Sequence, residues 1–493
     1  MKQGYQRHTR ESKISVNETQ RTEIEQILGK GKVSISNEIL SVYTGNELPS
    51  LVVWPSCSED VVKLVKWANK NSVPVIPVSS GGPKLRGSSL PKVKNAVIAD
   101  MSKMRKILRI DRKNKVAMVE PGVTYNELIL NLEKEGLRPL MPLLPKASKS
   151  VLASCLDREP ITTPRYHWDT TDPLLCTETV FGTGDVLRTG AAAGPGTLEE
   201  QWESGQAQKN PQGPSQFDPF RLVQGAQGTI GIVTWITMKC EKLPDTQVFL
   251  LAQSDDLDSL QEFNYALFRR RLVDEHFMLN SVSLKAILST NKMYSPWTLV
   301  LGVSGHGMIA DEELEYRISD IRDIGSETNV DLQENFDSIK SSEIEGILNR
   351  SSSVPYWKLE VAGNCFEVMF TTTLDRVQEF YDMFCDVAKE CDFPVDQIGS
   401  YVQPMNQGTN THVGLDIYYH PDAEAESAIS LLAKGQRKLL DEGAYFSRPY
   451  GVITDAVFEK ASPMTLTAMK RVKAIFDPNN ILNPGTLCFK EVP

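Results

Sequence analysis

Apolar residues recur along this chain in two rhythms that take turns. Residues 51–54, Leu-Val-Val-Trp, make a continuous apolar run of strand length. Behind it, Val61, Leu64, Val65 and Ala68 recur three and four apart, as on one face of a helix. Residues 73–77, Val-Pro-Val-Ile-Pro, form the next short run. Strand, helix, strand predicts an α/β unit. Ser56 and Glu59 have capping-box spacing, which predicts the helix start there. Residues 96–100 and 115–120 are further strand-like runs. Pro121-Gly122 turns the chain, Thr124 and Glu127 cap another helix, and Gly136 ends it. Residues 177–181 and 186–190, joined by Gly182-Thr183-Gly184-Asp185, predict a hairpin.

The stretch 220–240, FRLVQGAQGTIGIVTWITMKC, sets Gly225, Gly228 and Gly231 three apart. Ile232-Val233-Thr234-Trp235-Ile236 follows and predicts a strand. Glycines so spaced let backbone approach a ligand closely, because no Cβ intervenes. Beyond residue 245, strand-like runs at 248–251 and 297–301 alternate with amphipathic helices over 257–272, 312–324, 374–391 and 423–440. That alternation predicts an antiparallel sheet with helices on one face. Residues 1–40 read as a polar extension with one helix over 18–28, and 191–219 as a surface excursion rich in Gly, Pro, Gln and Ser.

A chain of 493 residues is too long for one core, so about two or three domains are expected. The formal net charge is −10 and no long basic run occurs, which argues against nucleic acid or an anionic membrane as partner. No apolar run has membrane-spanning length, and the start MKQGYQRHTR is polar, so a cytoplasmic protein is expected. The 8 cysteines are scattered without a CxxC, so reduced thiols and no metal site are expected.

Chemistry enters at residues 78–87, VSSGGPKLRG. Successive small residues can turn their N–H groups toward an anion, and Lys84 and Arg86 add positive charge. The segment G-A-Q-G-T-I-G-I-V-T resembles the "G-x-x-G-T-x-G-I-V-T" of the vanillyl-alcohol oxidase / p-cresol methylhydroxylase superfamily of FAD enzymes. The strand–Pro121-Gly122–helix order, the hairpin ending Arg188-Thr189-Gly190 and the tail F-D-P-N-N-I-L-N-P-G are similar to the same family. One departure is the glycine-free run 144–154, where the family has "P-x-S-x-x-T-I-G-G-x-x-A".

The resemblance implies an α+β fold: a two-part PCMH-type FAD-binding domain plus an α+β cap domain with an antiparallel sheet. It implies boundaries at 1–40 (extension), 41–243 (FAD-binding domain), 244–440 (substrate-binding cap) and 441–493 (segment returning to the FAD domain). FAD contacts are then expected from the loop Val78, Ser79, Ser80, Gly81, Gly82, Pro83 and Lys84. Others are expected from Pro121, Gly122 and Ser148, from Gly228, Gly231, Ile232 and Val233, and from Asn483 in the tail. Residues 77–87 hold no His or Cys, so no covalent tether is expected there; His167 reads first as a polar loop residue, with a tether or a flavin-facing role as the alternative.

Two segments offer catalytic groups. Asn410 and His412 are two apart, hence on one face of a strand. With Gly408 they partly fit the "G-x-G-N-x-H" of the hydroxy-acid members, and His412 is a natural general base. Gly443, Arg448 and Asp455 align with the "G-x-x-x-Y-R" and later Asp of phenol-oxidising members, with Ser447 in place of their tyrosine. Arg448 can clamp a carboxylate, a phenolate or the flavin, and Tyr445 and Tyr450 can donate a phenol or wall the site. The competing readings are a cap-sheet histidine bonded for structure and an interface salt bridge for Arg448. The expected activity is an FAD-dependent oxidoreductase taking a hydride from a small hydroxylated or phenolic substrate. A 2-hydroxy-acid dehydrogenase using His412 and Arg448 or Arg86 is the alternative, and a non-catalytic flavin-binding subunit the third reading. The expected partners are a small organic substrate and an electron-acceptor protein or oxygen, with a second copy of the chain kept open.

Overall fold

The computed structural model describes residues 16–87, 89–164, 173–206, 208–213, 218–336 and 338–490. Three sheets organise them. The first has the order Val33–Ser34, Leu51–Val53, Val97–Asp100, Val75–Val78. Its last three strands run parallel, and Val33–Ser34 is antiparallel to them. Parallel neighbours need a crossover. Helix Ser58–Asn71 supplies it and buries Val61, Leu64, Val65, Trp67 and Ala68.

The capping box at this helix is shifted. Cys57 is the N-cap, so the helix starts one residue beyond the expected place. The carboxylate in reach of the turn is then Asp60, which accepts from the Ser56 N–H and Oγ at 3.0 and 2.8 Å. At the next helix, Tyr125–Glu133, the Thr124–Glu127 box forms as expected.

The second sheet is antiparallel, ordered Ile107–Asp111, Val116–Val119, Gly231–Lys242, Leu174–Phe181, Val186–Arg188, with Leu137–Pro139 on the far end of Gly231–Lys242. Gly231–Lys242 carries the β-branched run behind the glycines, is buried along nearly all its length, and is the centre of this sheet. The preceding excursion is not wholly irregular: helix Leu198–Glu203 starts at a Thr197 capping box.

The third sheet has six antiparallel strands, ordered Thr246–Ser254, Trp297–Gly305, Glu275–Asn280, Ile398–Met405, Asn410–Tyr419, Asn364–Thr372. Helices Gln261–Arg270, Ala310–Thr328, Val377–Glu390 and Ala425–Asp441 pack their apolar stripes on one face. The expectation of helices on one face only is corrected. Phe249, Leu251, Phe277, Leu279 and Val300 point the other way and are apolar too. They take their own cover from Ser281–Leu288, Ser341–Leu348 and Trp357–Glu360. The rest of that second face carries Glu367, Met369, His412, Gly414 and Asp416.

The tail returns to the first sheet. Val75 N–H donates to the Ile481 carbonyl (2.7 Å) and Asn483 N–H to the Val75 carbonyl (2.9 Å), extending the sheet past its edge. Buried Lys473 pairs with Asp477 and donates to the carbonyls of Thr229 (2.5 Å) and Leu482 (3.0 Å), so the tail also grips the glycine turn. Among the described residues no helix is long and apolar enough to cross a membrane.

Candidate active site

A cavity of about 1780 Å³, its open mouth included, lies between the two glycine-bearing loops and the second face of the six-stranded sheet. One end is walled by backbone and small side chains. Val78, Ser79, Ser80, Pro83 and Lys84 line one side, and Gly228, Gly231, Ile232 and Val233 the other. Gly228 has φ +73°, and a Cβ there would lie 2.4 Å from Pro77 Cγ, so only glycine fits the turn.

Other residues expected at this end stand behind the wall. Gly81 N–H donates to the Ser148 carbonyl (3.1 Å), and a Cβ on Gly82 would lie 2.8 Å from Ser148 Oγ. Gly122 packs so close to Ser102 that a Cβ would be 2.4 Å from its carbonyl oxygen. Ser150 Oγ donates to the Pro121 carbonyl (2.5 Å), and Ser150 N–H to Ser80 Oγ (3.0 Å). Asn483 Nδ2 donates to the Gln227 carbonyl (2.7 Å), holding the turn that carries Gly228. Serines thus brace the loop where the family's glycines are missing. His167 lies outside the described residues.

FAD fits this end. Two turns without bulky side chains face each other across it. The Lys84 ammonium caps the Ser80 carbonyl, lies 5.9 Å from the centre of the Tyr43 ring, and has no carboxylate within 4 Å among the described residues. Burial pulls Lys84 down to about 8, against the attraction of Asp100. A cation without an ion-pair partner, on a loop of small residues, suits a diphosphate.

The opposite end is ionic. Arg86 reaches from the same loop to Glu159 (2.5 Å) and to Glu367 on strand Asn364–Thr372 (2.9 Å). Lys358 joins Glu367 to Asp416, both at 2.7 Å, and Lys149 joins Glu159 to Asp157 at 2.9 and 3.4 Å. Burial pushes Glu367 up, but Lys358 and Arg86 outweigh it and hold the carboxyl well below its ordinary range. Lys149 and Arg86 do the same for Glu159. Asp416 goes the other way, raised by burial and by Glu367.

Strand register assembles the cap wall. Glu367 stands opposite Asp416, Met369 opposite Gly414 and Thr371 opposite His412, while Tyr401 faces Gly414 from the other side. With a side-chain period of two, Glu367, Met369, His412, Gly414 and Asp416 share the cavity face. Gly414 leaves room beside the ring, since even an added Cβ would stand 3.7 Å from His412 Nε2.

Arg448 and His412 meet here, both buried. Arg448 Nη2 is 3.5 Å from His412 Nδ1, and Nη1 donates to the Asp157 carbonyl (3.3 Å). Among the described residues no carboxylate lies within 4 Å of the guanidinium, so the interface salt bridge is not formed there. Arginine has only donors. His412 Nδ1 therefore keeps its lone pair, and the proton sits on Nε2. Burial, then Arg448, Arg86 and Lys358, push His412 well below its ordinary value.

Four of the expected groups stand elsewhere. Tyr445 is 68% exposed, while Ala444 and Phe446 are buried. Its backbone pairs with Thr371 (3.0 and 2.8 Å), and extended alternation turns the phenol to solvent. Asn410 shares the His412 face but sits at the strand's open end, paired with Met405, off the cavity wall. Tyr450 braces the site from behind: its hydroxyl donates to Asp157 Oδ1 (3.1 Å) and its ring lies 5.7 Å from the Arg86 guanidinium. Asp455 pairs with Lys490 on the surface.

Fold and cavity together define an FAD-dependent oxidoreductase, and comparison with known proteins agrees. A model of the FAD binding domain matches residues 49–190, and one of the FAD linked oxidases' C-terminal domain matches 453–487. The D-lactate dehydrogenase of Anaerostipes hadrus is 24% identical over 93% of this chain and 95% of its own length. The solved 4-ethylphenol oxidase from Gulosibacter chungangensis superposes with a TM-score of 0.82 at 20% identity, covering 96% of this chain and 97% of its own. p-Cresol methylhydroxylase does so with 0.77 at 19%, covering 96% and 98%. The chain therefore carries an FAD binding domain and the C-terminal domain of FAD linked oxidases, on a fold shared with the PCMH-type enzymes.

Proposed function

We propose that this protein oxidises a small 2-hydroxy acid, with Arg448 holding the substrate carboxylate and His412 taking the hydroxyl proton at Nδ1. The observation that carries this reading is the buried Arg448 guanidinium, unmatched by any described carboxylate, beside an imidazole whose Nδ1 lone pair faces it. In a water-poor site such a cation attracts an anion far more strongly than in bulk water. FAD, when bound, supplies the acceptor for the hydride. The protein's part is to fix the carbon, exclude water and remove the proton. A low His412 pKa keeps the ring neutral at working pH, and a carboxylate on Arg448 would raise its basicity once substrate is seated. The phenolic reading finds less support: Ser447 stands at the tyrosine position and Tyr445 faces solvent.

The glycine end is proposed as the FAD seat, through Val78, Ser79, Ser80, Pro83, Lys84, Gly228, Gly231, Ile232 and Val233. Gly81, Gly82, Pro121, Gly122, Ser148 and Asn483 shape it from behind. The division at 41–243, 244–440 and 441–493 belongs to the same proposal, supported by a third sheet that lies wholly within 246–419. The test is anaerobic bleaching of the flavin by a panel of 2-hydroxy acids and para-alkylphenols. Hydroxy acids should bleach it and alkylphenols should not. Bleaching by phenols alone overturns the reading.

A further inference from the structure

Six cationic side chains line the cavity: Lys84, Arg86, Lys146, Lys149, Lys358 and Arg448. Arg86 is paired with three carboxylates, Asp157, Glu159 and Glu367, and Lys149 and Lys358 are each held between two. Lys84 is turned into the glycine end, and Arg448 stands at His412. Lys146 remains. Its ammonium donates to the Pro83 carbonyl (2.9 Å), and no carboxylate lies within 4 Å of it among the described residues. An ammonium has three donors, so two are left for the cavity. Its charged neighbours are Lys149 on its own loop, Lys84 and Arg86 on the phosphate loop, and Glu367 on the cap strand. Arg86 neighbours Arg448 as well, so the two unmatched cations flank one saturated arginine.

We propose that Lys146 holds a second acidic group of the substrate, so that the preferred substrate is a hydroxy diacid rather than a hydroxy monoacid. The inference rests on the reading of Arg448 as the clamp for the first carboxylate. The carboxylates that line this end are already engaged with Arg86, Lys149 and Lys358, so an incoming second anion finds Lys146 free. Burial and the neighbouring cations Lys149, Lys84 and Arg86 pull Lys146 down to about 7, with Glu367 opposing. Diacid binding should accordingly weaken as pH rises through about 7, since only the ammonium form attracts the anion.

The experiment is anaerobic flavin reduction by malate and 2-hydroxyglutarate against lactate and glycolate, in the wild type, Lys146→Met and Lys146→Arg. In the wild type the diacids should half-saturate at a concentration about tenfold or more below the monoacids, the expected worth of one buried charge contact. Lys146→Met should erase that advantage, and Lys146→Arg should keep most of it. Bound FAD, read from absorbance, should stay constant across the three proteins. Loss of FAD from Lys146→Met would assign the lysine to the diphosphate and overturn the proposal. Equal half-saturation by monoacids and diacids in the wild type overturns it while leaving the 2-hydroxy-acid reading standing. Reduction by none of the four overturns both.

Discussion

At one end of the cavity the wall is backbone and serine; at the other it is a web of buried charges. The glycine end works by absence. Gly228 turns where a Cβ would strike Pro77, and Gly81 and Gly82 rest on Ser148. The ionic end works by saturation: Arg86 meets three carboxylates and Lys149 and Lys358 two each, while Arg448 and Lys146 meet none among the described residues. Buried ion pairs add little net stability, but removing one partner leaves an uncompensated charge and costs much. The ionic end is thus rigid around a single unsatisfied guanidinium. On the proposed reading, the charge without a partner, not the most charged cluster, is where a ligand's charge belongs.

The sharpest break of that contrast is at the base. His412→Asn should slow substrate-driven flavin reduction by roughly 10²–10⁴-fold, the usual worth of a general base, with bound FAD unchanged. Full activity in that variant would place the proton acceptor elsewhere. Next, Glu367→Gln leaves both Arg86 and Lys358 short of a partner. It should destabilise the fold by about 3–5 kcal/mol, read from denaturant midpoints at constant slope. If the midpoint hardly moves, the web is not a rigid frame. Gly228→Ala touches only the other end. It should cost about 1–3 kcal/mol of local strain, seen as weaker FAD retention in gel filtration while flavin-loaded protein reacts at the normal rate. The pH profile is the gentlest probe. His412 must be neutral to accept a proton, so reduction should be flat above its pKa and fall as pH drops through it. Because that pKa is lowered, the acidic limb should lie below the unperturbed value of about 6.5. A midpoint above it would contradict the burial of the ring among Arg448, Arg86 and Lys358.

The two ends also differ in how far the chain's own text reveals them. Loop 78–84 and the turn at Gly225 and Gly228 are local, so a short window carries both the conformation and the resemblance that gives it meaning. The tail is legible in part: Asp477 does its work within a few residues, on Lys473, Ile481 and Leu482, whereas the reach of Asn483 to Gln227 and Val75 is not written in its own segment. Arg86 and Glu367 are 281 residues apart, and the pairing of Glu367 with Asp416 depends on strand register. Neither follows from spacing along the chain. His412 and Arg448 were readable as types but not as neighbours. The aromatic chemistry of Tyr445 says nothing of its direction; the alternation with buried Ala444 and Phe446 turns it outward. Glu367, Lys358 and Lys146 carried one faint signal, charges set inside otherwise apolar or extended runs.

The grip of Lys473 and Asn483 on the glycine turn has a consequence for the order of events during synthesis. A ribosome delivers the FAD-loop strands first and the clamp some four hundred residues later, since Val75 waits for Ile481 and Asn483 to complete its sheet edge. Until then the turn at Gly228 lacks the bonds that Asn483 makes to Gln227 and Lys473 to Thr229. Flavin capture should therefore be a late, post-release event rather than a co-translational one. Chains stalled before residue 470 should pull down with ribosomes free of flavin fluorescence, and released full-length chains should acquire it; flavin on the stalled chains would show that the early strands suffice.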